Sequence, residues 1–348
     1  MMKNLSKVLF MMMMLMGTVI TMSSNSWLGL WMGLEINLLS FIPLIMNTNN
    51  LNSSEAALNY FLVQAFASTI ILFSMIFTMI NEKVIFFMNL SMKTNFMALK
   101  LMTMTLMLKM GAAPFHFWFP NVMENITWMS CLMLMTWQKL APMMIISYMI
   151  NMNNLFLIFV IMSTFVGAIG GLNQTSMRKL LAFSSINHMG WMITAIMFNE
   201  NLWFIYFTIY SMLNFSIVYL FNIFQIFYLN QMYSLFMNSY FLKFSLLTSI
   251  LSLGGLPPFL GFIPKWLIIQ SLLFMKLNLI NMFMIYMSMI TLFYYLKISF
   301  SAFMFNYSEF NFMLKNYFKP TNFMIMTMSN FISLFSFFLI IELTWINM

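Results

Sequence analysis

The 348-residue sequence has very little charge, no aspartate and a single cysteine. Charged residues make up 6% of the chain, against about 25% in soluble domains. Cys131 lies in an apolar run, which excludes internal disulfides and cysteine metal clusters. The sequence has no Gly-rich phosphate loop and no C-x-x-C, and His116 and His188 are far apart. We therefore expect no flavin, haem, iron–sulfur cluster, nucleotide or metal site in this chain.

Apolar residues make up 62% of the sequence, and apolar runs of membrane-spanning length recur along it. Such long continuous runs exclude a β-barrel, whose strands would alternate over about ten residues. The sequence predicts an all-α integral membrane protein, a single polytopic domain over 1–348, with about eleven transmembrane helices, two of them interrupted. The predicted spans are 5–23, 27–46, 56–80, 94–117, 126–148, 154–172, 179–198, 201–225, 244–271, 277–296 and 324–346.

The formal charge of +8 reports loop topology rather than a nucleic-acid partner. With eleven spans the termini lie on opposite sides of the membrane. The side of the N-terminus collects eight basic residues: Lys3, Lys7, Arg178, Lys179, Lys243, Lys297, Lys315 and Lys319. The other side collects three: Lys83, Lys93 and Lys276. The positive-inside rule then places the N-terminus on the inner side of the membrane.

Four ionisable residues lie within predicted spans: Glu35, Lys109, Lys139 and Lys265. Each costs about 2.5–3.5 kcal/mol at a helix centre on insertion scales. The alternative reading is snorkelling, in which a long lysine stem carries its ammonium to the lipid headgroups. Snorkelling accounts poorly for three central lysines together with a short-stemmed glutamate. The set favours an ion or proton pathway.

Lys100 is the better snorkelling candidate. It lies nine residues before Lys109, about two and a half helical turns, so the two side chains point to opposite faces. Only one of them can face a common interior.

Two predicted spans contain helix breakers close to a buried lysine. Gly111 and Pro114 follow Lys109, and the run SLGGLPPFLGFIPKW precedes and includes Lys265. Interrupted helices at membrane depth are tolerated where they line a protein-filled or hydrated cavity, although a single proline can also simply kink a helix. We expect the break after Lys109 to free backbone groups that hold water beside it.

A buried lysine suits proton exchange, because desolvation disfavours its ammonium and a nearby carboxylate favours it. Glu35 is the partner that charge indicates, although the sequence does not show which lysine it meets. His188 lies in a polar patch, AFSSINHMGWM, and is a candidate relay or a hydrogen-bonded packing residue. His116 lies near a predicted span end, where it can sit at the membrane interface beside Trp118.

Five stretches together resemble one known family: SNSWLGLWMGLEINLLSFIPL, KMGAAPFHFW, LMTWQKLAP, GGLNQTSMRKLLAFSSINHMGWM and SLGGLPPFLGFIPKW. They are similar to the chain 2 family of mitochondrial NADH:ubiquinone oxidoreductase, an antiporter-like subunit of the membrane arm of respiratory complex I. The resemblance covers nearly the full chain, and the composition suggests an arthropod version. It implies an antiporter-like fold lacking the first three of fourteen helices.

The resemblance also implies a proton path through Glu35, Lys109, Lys139 and Lys265, with His188 on the same hydrophilic axis. NADH, FMN, iron–sulfur clusters and ubiquinone would bind elsewhere in the complex. The implied partners are other membrane-arm subunits and the lipid of the mitochondrial inner membrane, with cardiolipin as a candidate. Two further readings stay open: a stand-alone cation/proton antiporter of the same fold, and a passive scaffold subunit.

Overall fold

The computed structural model describes residues 2–47, 50–82, 96–149, 154–235, 240–304 and 327. The regular elements of this part of the chain are fourteen α-helices. They are α1 (Met2–Ser23), α2 (Trp27–Ile45), α3 (Leu51–Glu82), α4 (Phe96–Met110), α5 (Trp118–Asn125), α6 (Trp128–Met135), α7 (Trp137–Met149), α8 (Asn154–Gly170), α9 (Met177–Phe198), α10 (Glu200–Phe224), α11 (Leu229–Leu235), α12 (Tyr240–Gly254), α13 (Phe262–Phe274) and α14 (Asn278–Met304). The predicted all-α membrane architecture is confirmed.

Seven helical stretches of the described residues are long and apolar enough to cross a membrane: α1, α2, α3, the continuous run of α6 and α7, α9, α10 and α14. Three further predicted spans fall on shorter helices. Two of these are interrupted, as predicted, and α8 has 17 residues. The predicted span 324–346 lies outside the described residues apart from residue 327. The count of eleven spans therefore stays a prediction.

The first interruption separates α4 from α5. Gly111 has a φ of +74°, a left-handed conformation that favours glycine, and it ends α4 directly after Lys109 and Met110. The sequence placed 118–125 in a linker, and that assignment was wrong, because these residues form α5. A helix of eight residues is too short to show a helical apolar period, and it follows a break that ends the preceding run.

The helices cluster into two compact units, Met1–Ser163 and Thr164–Met348. In the first unit α1 packs along α2, and α3 packs against α2, α4 and α5. Gly17 and Gly33 bring the backbones of α1 and α2 together: a side chain at Gly33 would lie 2.8 Å from the Thr21 backbone nitrogen.

In the second unit α9 is the central helix and packs against α10, α13 and α14. It is buried along nearly its whole length. Gly167 of α8 lies directly against the backbone of Asn187, leaving no room for a side chain. The polar residues around His188 are therefore held in a protein interior. The prediction of one polytopic domain stays a prediction.

Candidate functional site

Glu35 and Lys109 both belong to the first unit. Lys109 occupies the last turn of α4 and is 7% exposed. Glu35, on α2, is partly buried, and its Oε1 atom is buried without a hydrogen-bond partner. The Glu35 carboxylate interacts electrostatically with the Lys109 ammonium. Among the buried lysines, Lys109 is thus one that the Glu35 charge acts on, a pairing that the sequence left open.

Hydrogen-bond donors of the protein bind the backbone carbonyls at the break after Lys109. The Trp118 indole Nε1 donates to the Leu108 carbonyl at 3.2 Å, and Gln64 Nε2 donates to the Lys109 carbonyl at 3.1 Å. The Ala112 backbone N–H donates to the Met107 carbonyl at 3.0 Å. The carbonyls of Met107, Leu108 and Lys109 thus each accept a hydrogen bond from the protein, and the expectation that the break holds water beside Lys109 stays a prediction.

Lys139 lies on α7 and is 1% exposed. Its Nζ atom is 5.3 Å from the centroid of the Phe119 ring, within cation–π range. The helix is irregular just before it, since α6 ends at Met135 and the Lys139 N–H bonds the Thr136 carbonyl. Pro142, one turn later, has no N–H to donate to the Gln138 carbonyl. This third irregularity was not predicted.

One cavity of about 20 Å³ is lined by both Lys109 and Lys139. Its other polar lining includes the amide and hydroxyl side chains of Asn37, Tyr60, Gln64 and Gln138. A buried water needs roughly 10–15 Å³ and two to four polar partners. The cavity therefore has room and partners for a water molecule.

Three of the uncharged lining residues form a hydrogen-bonded group. Gln138 Nε2 donates to Asn37 Oδ1 at 3.0 Å, and the Tyr60 hydroxyl donates to Gln138 Oε1 at 3.4 Å. Sequence reasoning missed these residues and Gln64. Their signal was present but weak: Gln64 is a lone amide in the apolar run YFLVQAFAS, and Gln138 directly precedes Lys139.

Lys265 and His188 belong to the second unit. Lys265, in the first turn of α13, is 5% exposed and donates from Nζ to the Gly254 carbonyl at 2.8 Å. The Nδ1 atom of His188 lies 2.8 Å from the Tyr206 hydroxyl oxygen, and its ring centroid lies 5.0 Å from that of Tyr210. His188 is thus hydrogen-bonded in a tyrosine-lined interior, a geometry open to both the relay and the packing reading.

Two weaker sequence candidates are also placed. Lys100 is half-buried, in contrast to Lys109, as their spacing indicates. His116 lies in the break between α4 and α5 rather than at the end of a span, and its Nδ1 is 3.3 Å from the Pro114 carbonyl oxygen. In the described ranges, no three His, Cys, Asp or Glu side chains converge as a metal site.

The comparisons with known proteins agree with this fold. Residues 24–291 match the family model described as NADH:quinone oxidoreductase/Mrp antiporter, transmembrane. The chain belongs to this family. It is 53% identical over 334 residues to NADH-ubiquinone oxidoreductase chain 2 of Anopheles gambiae, covering 96% of each chain. The family resemblance carried by the five sequence stretches is confirmed.

Two solved structures share the fold. Respiratory complex I from Thermus thermophilus contains a chain that matches with a TM-score of 0.84 at 22% identity, over 95% of this chain and 78% of that one. The Mrp complex from Dietzia sp. DQ12-45-1b matches with a TM-score of 0.76 at 17% identity, over 83% of this chain and 59% of that one. The antiporter-like membrane-arm fold is therefore shown.

Proposed function

We propose that the chain is a proton-translocating membrane-arm subunit of a mitochondrial NADH:ubiquinone oxidoreductase. In this proposal Glu35, Lys109, Lys139 and Lys265 carry protons, with His188 as a candidate relay. The observation that carries it is the polar cavity shared by Lys109 and Lys139 inside an apolar protein. Two buried ammonium groups without such a cavity would be costly and would have no route between them.

Lysine is suited to this work because its charge is adjustable in a protein interior. Burial disfavours the ammonium, and a nearby carboxylate favours it, so a change in the distance between them alters proton affinity. Glu35 supplies the carboxylate for Lys109. The cavity gives a proton a path onward, because a bridging water can connect two polar groups nearly as well as a direct hydrogen bond.

A stand-alone cation/proton antiporter of the same fold is the second reading. The fold alone does not separate the two, since both a complex I chain and an Mrp chain match it. The identity of 53% to an insect chain 2 favours the complex I subunit. The absence of aspartate from the sequence also disfavours a dedicated sodium site. A scaffold role would leave the buried charges without a use.

Native electrophoresis in mild detergent separates the two readings. A complex I subunit is expected to migrate in a large assembly that oxidises NADH and reduces ubiquinone in the gel. A stand-alone antiporter would migrate near the 41.1 kDa of this chain or a small multiple of it. Recovery of the chain only in the small species would rule out the proposed function.

The proposal includes the cellular setting. The partners would be the other membrane-arm subunits, and the chain would be a multi-pass protein of the mitochondrial inner membrane. FMN, iron–sulfur clusters, NADH and ubiquinone would be bound by other subunits. The expectation that cardiolipin contacts this chain stays a prediction.

The topology is a separate prediction, with the N-terminus in the matrix and the C-terminus in the intermembrane space. Eight of the eleven loop-assigned basic residues lie on the N-terminal side, and such an excess is retained on the inner side of a membrane. Epitope tags at the two ends of the chain should be accessible to protease on opposite faces of mitoplasts. Accessibility of both tags from the same face would contradict the odd number of spans.

A further inference from the structure

The second helix break, between α12 and α13, places the Lys265 side chain against the end of the preceding helix. Lys265 is the fourth residue of α13, yet its ammonium reaches back across the break to α12. There Nζ donates to the carbonyl of Gly254, the last residue of α12, at 2.8 Å. A backbone carbonyl of α12 therefore binds a side chain of α13.

Helix electrostatics favour this arrangement. The N-terminal turn of a helix carries a partial positive charge, which disfavours a cation, and the C-terminal carbonyls carry a partial negative charge. Lys265 lies in the N-terminal turn of α13, where the helix dipole disfavours its charge. Its ammonium contacts the C-terminal end of α12, where the helix dipole favours that charge. The ammonium also satisfies a carbonyl that the end of α12 leaves without a helical partner.

Gly255 makes this contact sterically available. It has a φ of +80°, and a Cβ atom built on it would lie 2.9 Å from Lys265 Nζ, 3.1 Å from Cδ and 3.2 Å from Cε. All three of the nearest atoms thus belong to the lysine. At Gly254 the nearest atom to an added Cβ is Tyr295 Cδ2 at 3.5 Å, an ordinary van der Waals contact.

We propose that Gly255 is a positioning residue for proton translocation, because its missing side chain seats the Lys265 ammonium on the Gly254 carbonyl. This inference rests on the proposed function of Lys265. We call the Gly254 carbonyl and the space beside Gly255 the seat, and it holds the charged form of Lys265. Transfer of the proton onward then requires the lysine stem to leave the carbonyl.

The first break is built differently. There the carbonyls of Leu108 and Lys109 are capped by the neutral donors Trp118 and Gln64. The Lys109 ammonium is left to interact with Glu35. A side chain at the second break should therefore disturb Lys265 specifically.

Gly255→Ala tests the seat in the intact complex. Gly255→Ala is expected to lower the rate of NADH-driven proton translocation per assembled complex about tenfold, because the ammonium loses a charge-assisted hydrogen bond. As a control, Phe274→Ala truncates a side chain that is 86% exposed at the end of α13, and it should stay within about twofold of wild type. Wild-type translocation in assembled Gly255→Ala would overturn the inference.

Two further variants separate the effect of backbone strain at Gly255 from the effect of losing the Lys265 contact. Gly255→Asn tolerates a left-handed backbone but also carries a Cβ, so it should impair translocation as alanine does. Recovery in Gly255→Asn would show that strain, not the seat, was responsible. If Gly255→Ala reduces assembly, adding Lys265→Ala removes the crowded stem and should restore assembly, because the close atoms are those of Lys265. Failure to restore it would also overturn the inference.

Lys265→Met separates the seat from the proposed function. Normal translocation in that variant would remove Lys265 from the proton path. Loss of translocation in Lys265→Met, together with normal translocation in Gly255→Ala, would retain the lysine and reject the seat alone.

Discussion

Replacement of Lys109 by methionine is expected to reduce NADH:ubiquinone oxidation at least about tenfold while the complex still assembles. A tenfold change corresponds to about 1.4 kcal/mol, less than the energy associated with placing a charge in this interior. Methionine retains an apolar stem of similar length and deletes a buried cation. The measurement is the rate of NADH oxidation in inner-membrane vesicles, normalised to complex content on native gels.

Two further variants show whether turnover depends on a positive charge at Lys109 or on the exchange of a proton there. Lys109→Arg keeps the charge but stays protonated at any physiological pH, so it should also impair turnover. Lys100→Met removes a half-buried lysine from the same helix, and we expect turnover close to wild type. Wild-type activity in Lys109→Arg would show that the position needs only a fixed positive charge.

Replacement of Lys139 by methionine is expected to have an effect as large as that of Lys109→Met. Lys139 is the most deeply buried of the three lysines, and it lines the cavity together with the hydrogen-bonded group of Gln138, Asn37 and Tyr60. In Lys139→Met, the residue that lines the cavity at this position is a methionine, which cannot accept a proton. The same oxidation assay measures the effect, with Lys297→Met as the control because Lys297 is an exposed lysine on α14.

The double variant tests whether the two lysines belong to one path. Residues that act as a unit show strongly non-additive effects. If Lys109 and Lys139 serve the same path, Lys109→Met with Lys139→Met should be no slower than the slower single variant. Multiplication of the two single effects would instead indicate two independent routes.

The sequence predicted most of the helical layout, because hydrophobic length alone sets where a membrane helix can lie. The predicted span 27–46 matches α2, and 201–225 matches α10 within one residue at each end. The breaks at Gly111 and Gly255 were predictable because glycine and proline act locally on the backbone. The short helices α5 and α11 were missed, since neither is long enough to show a period of its own.

The partners of the buried charges could not be predicted, because they are set by contacts between distant parts of the chain. Gln64 caps the end of α4 from 45 residues away, and Gln138 bonds Asn37 across 101 residues. No local pattern records such pairs. The assignment of Glu35 to Lys109, and of Lys265 to the Gly254 carbonyl, required the packing of α2 against its neighbours and the fold of the second break.

Proton translocation by the assembled Lys109→Met complex tests the central claim most directly. The measurement is the initial rate of NADH-driven proton movement into sealed vesicles, per assembled complex, beside Lys100→Met and wild type. If Lys109 exchanges protons with the cavity that it shares with Lys139, Lys109→Met should translocate at less than about a tenth of the wild-type rate, and Lys100→Met close to the full rate. Wild-type translocation by fully assembled Lys109→Met would mean that the buried lysine is structural and that protons take another route.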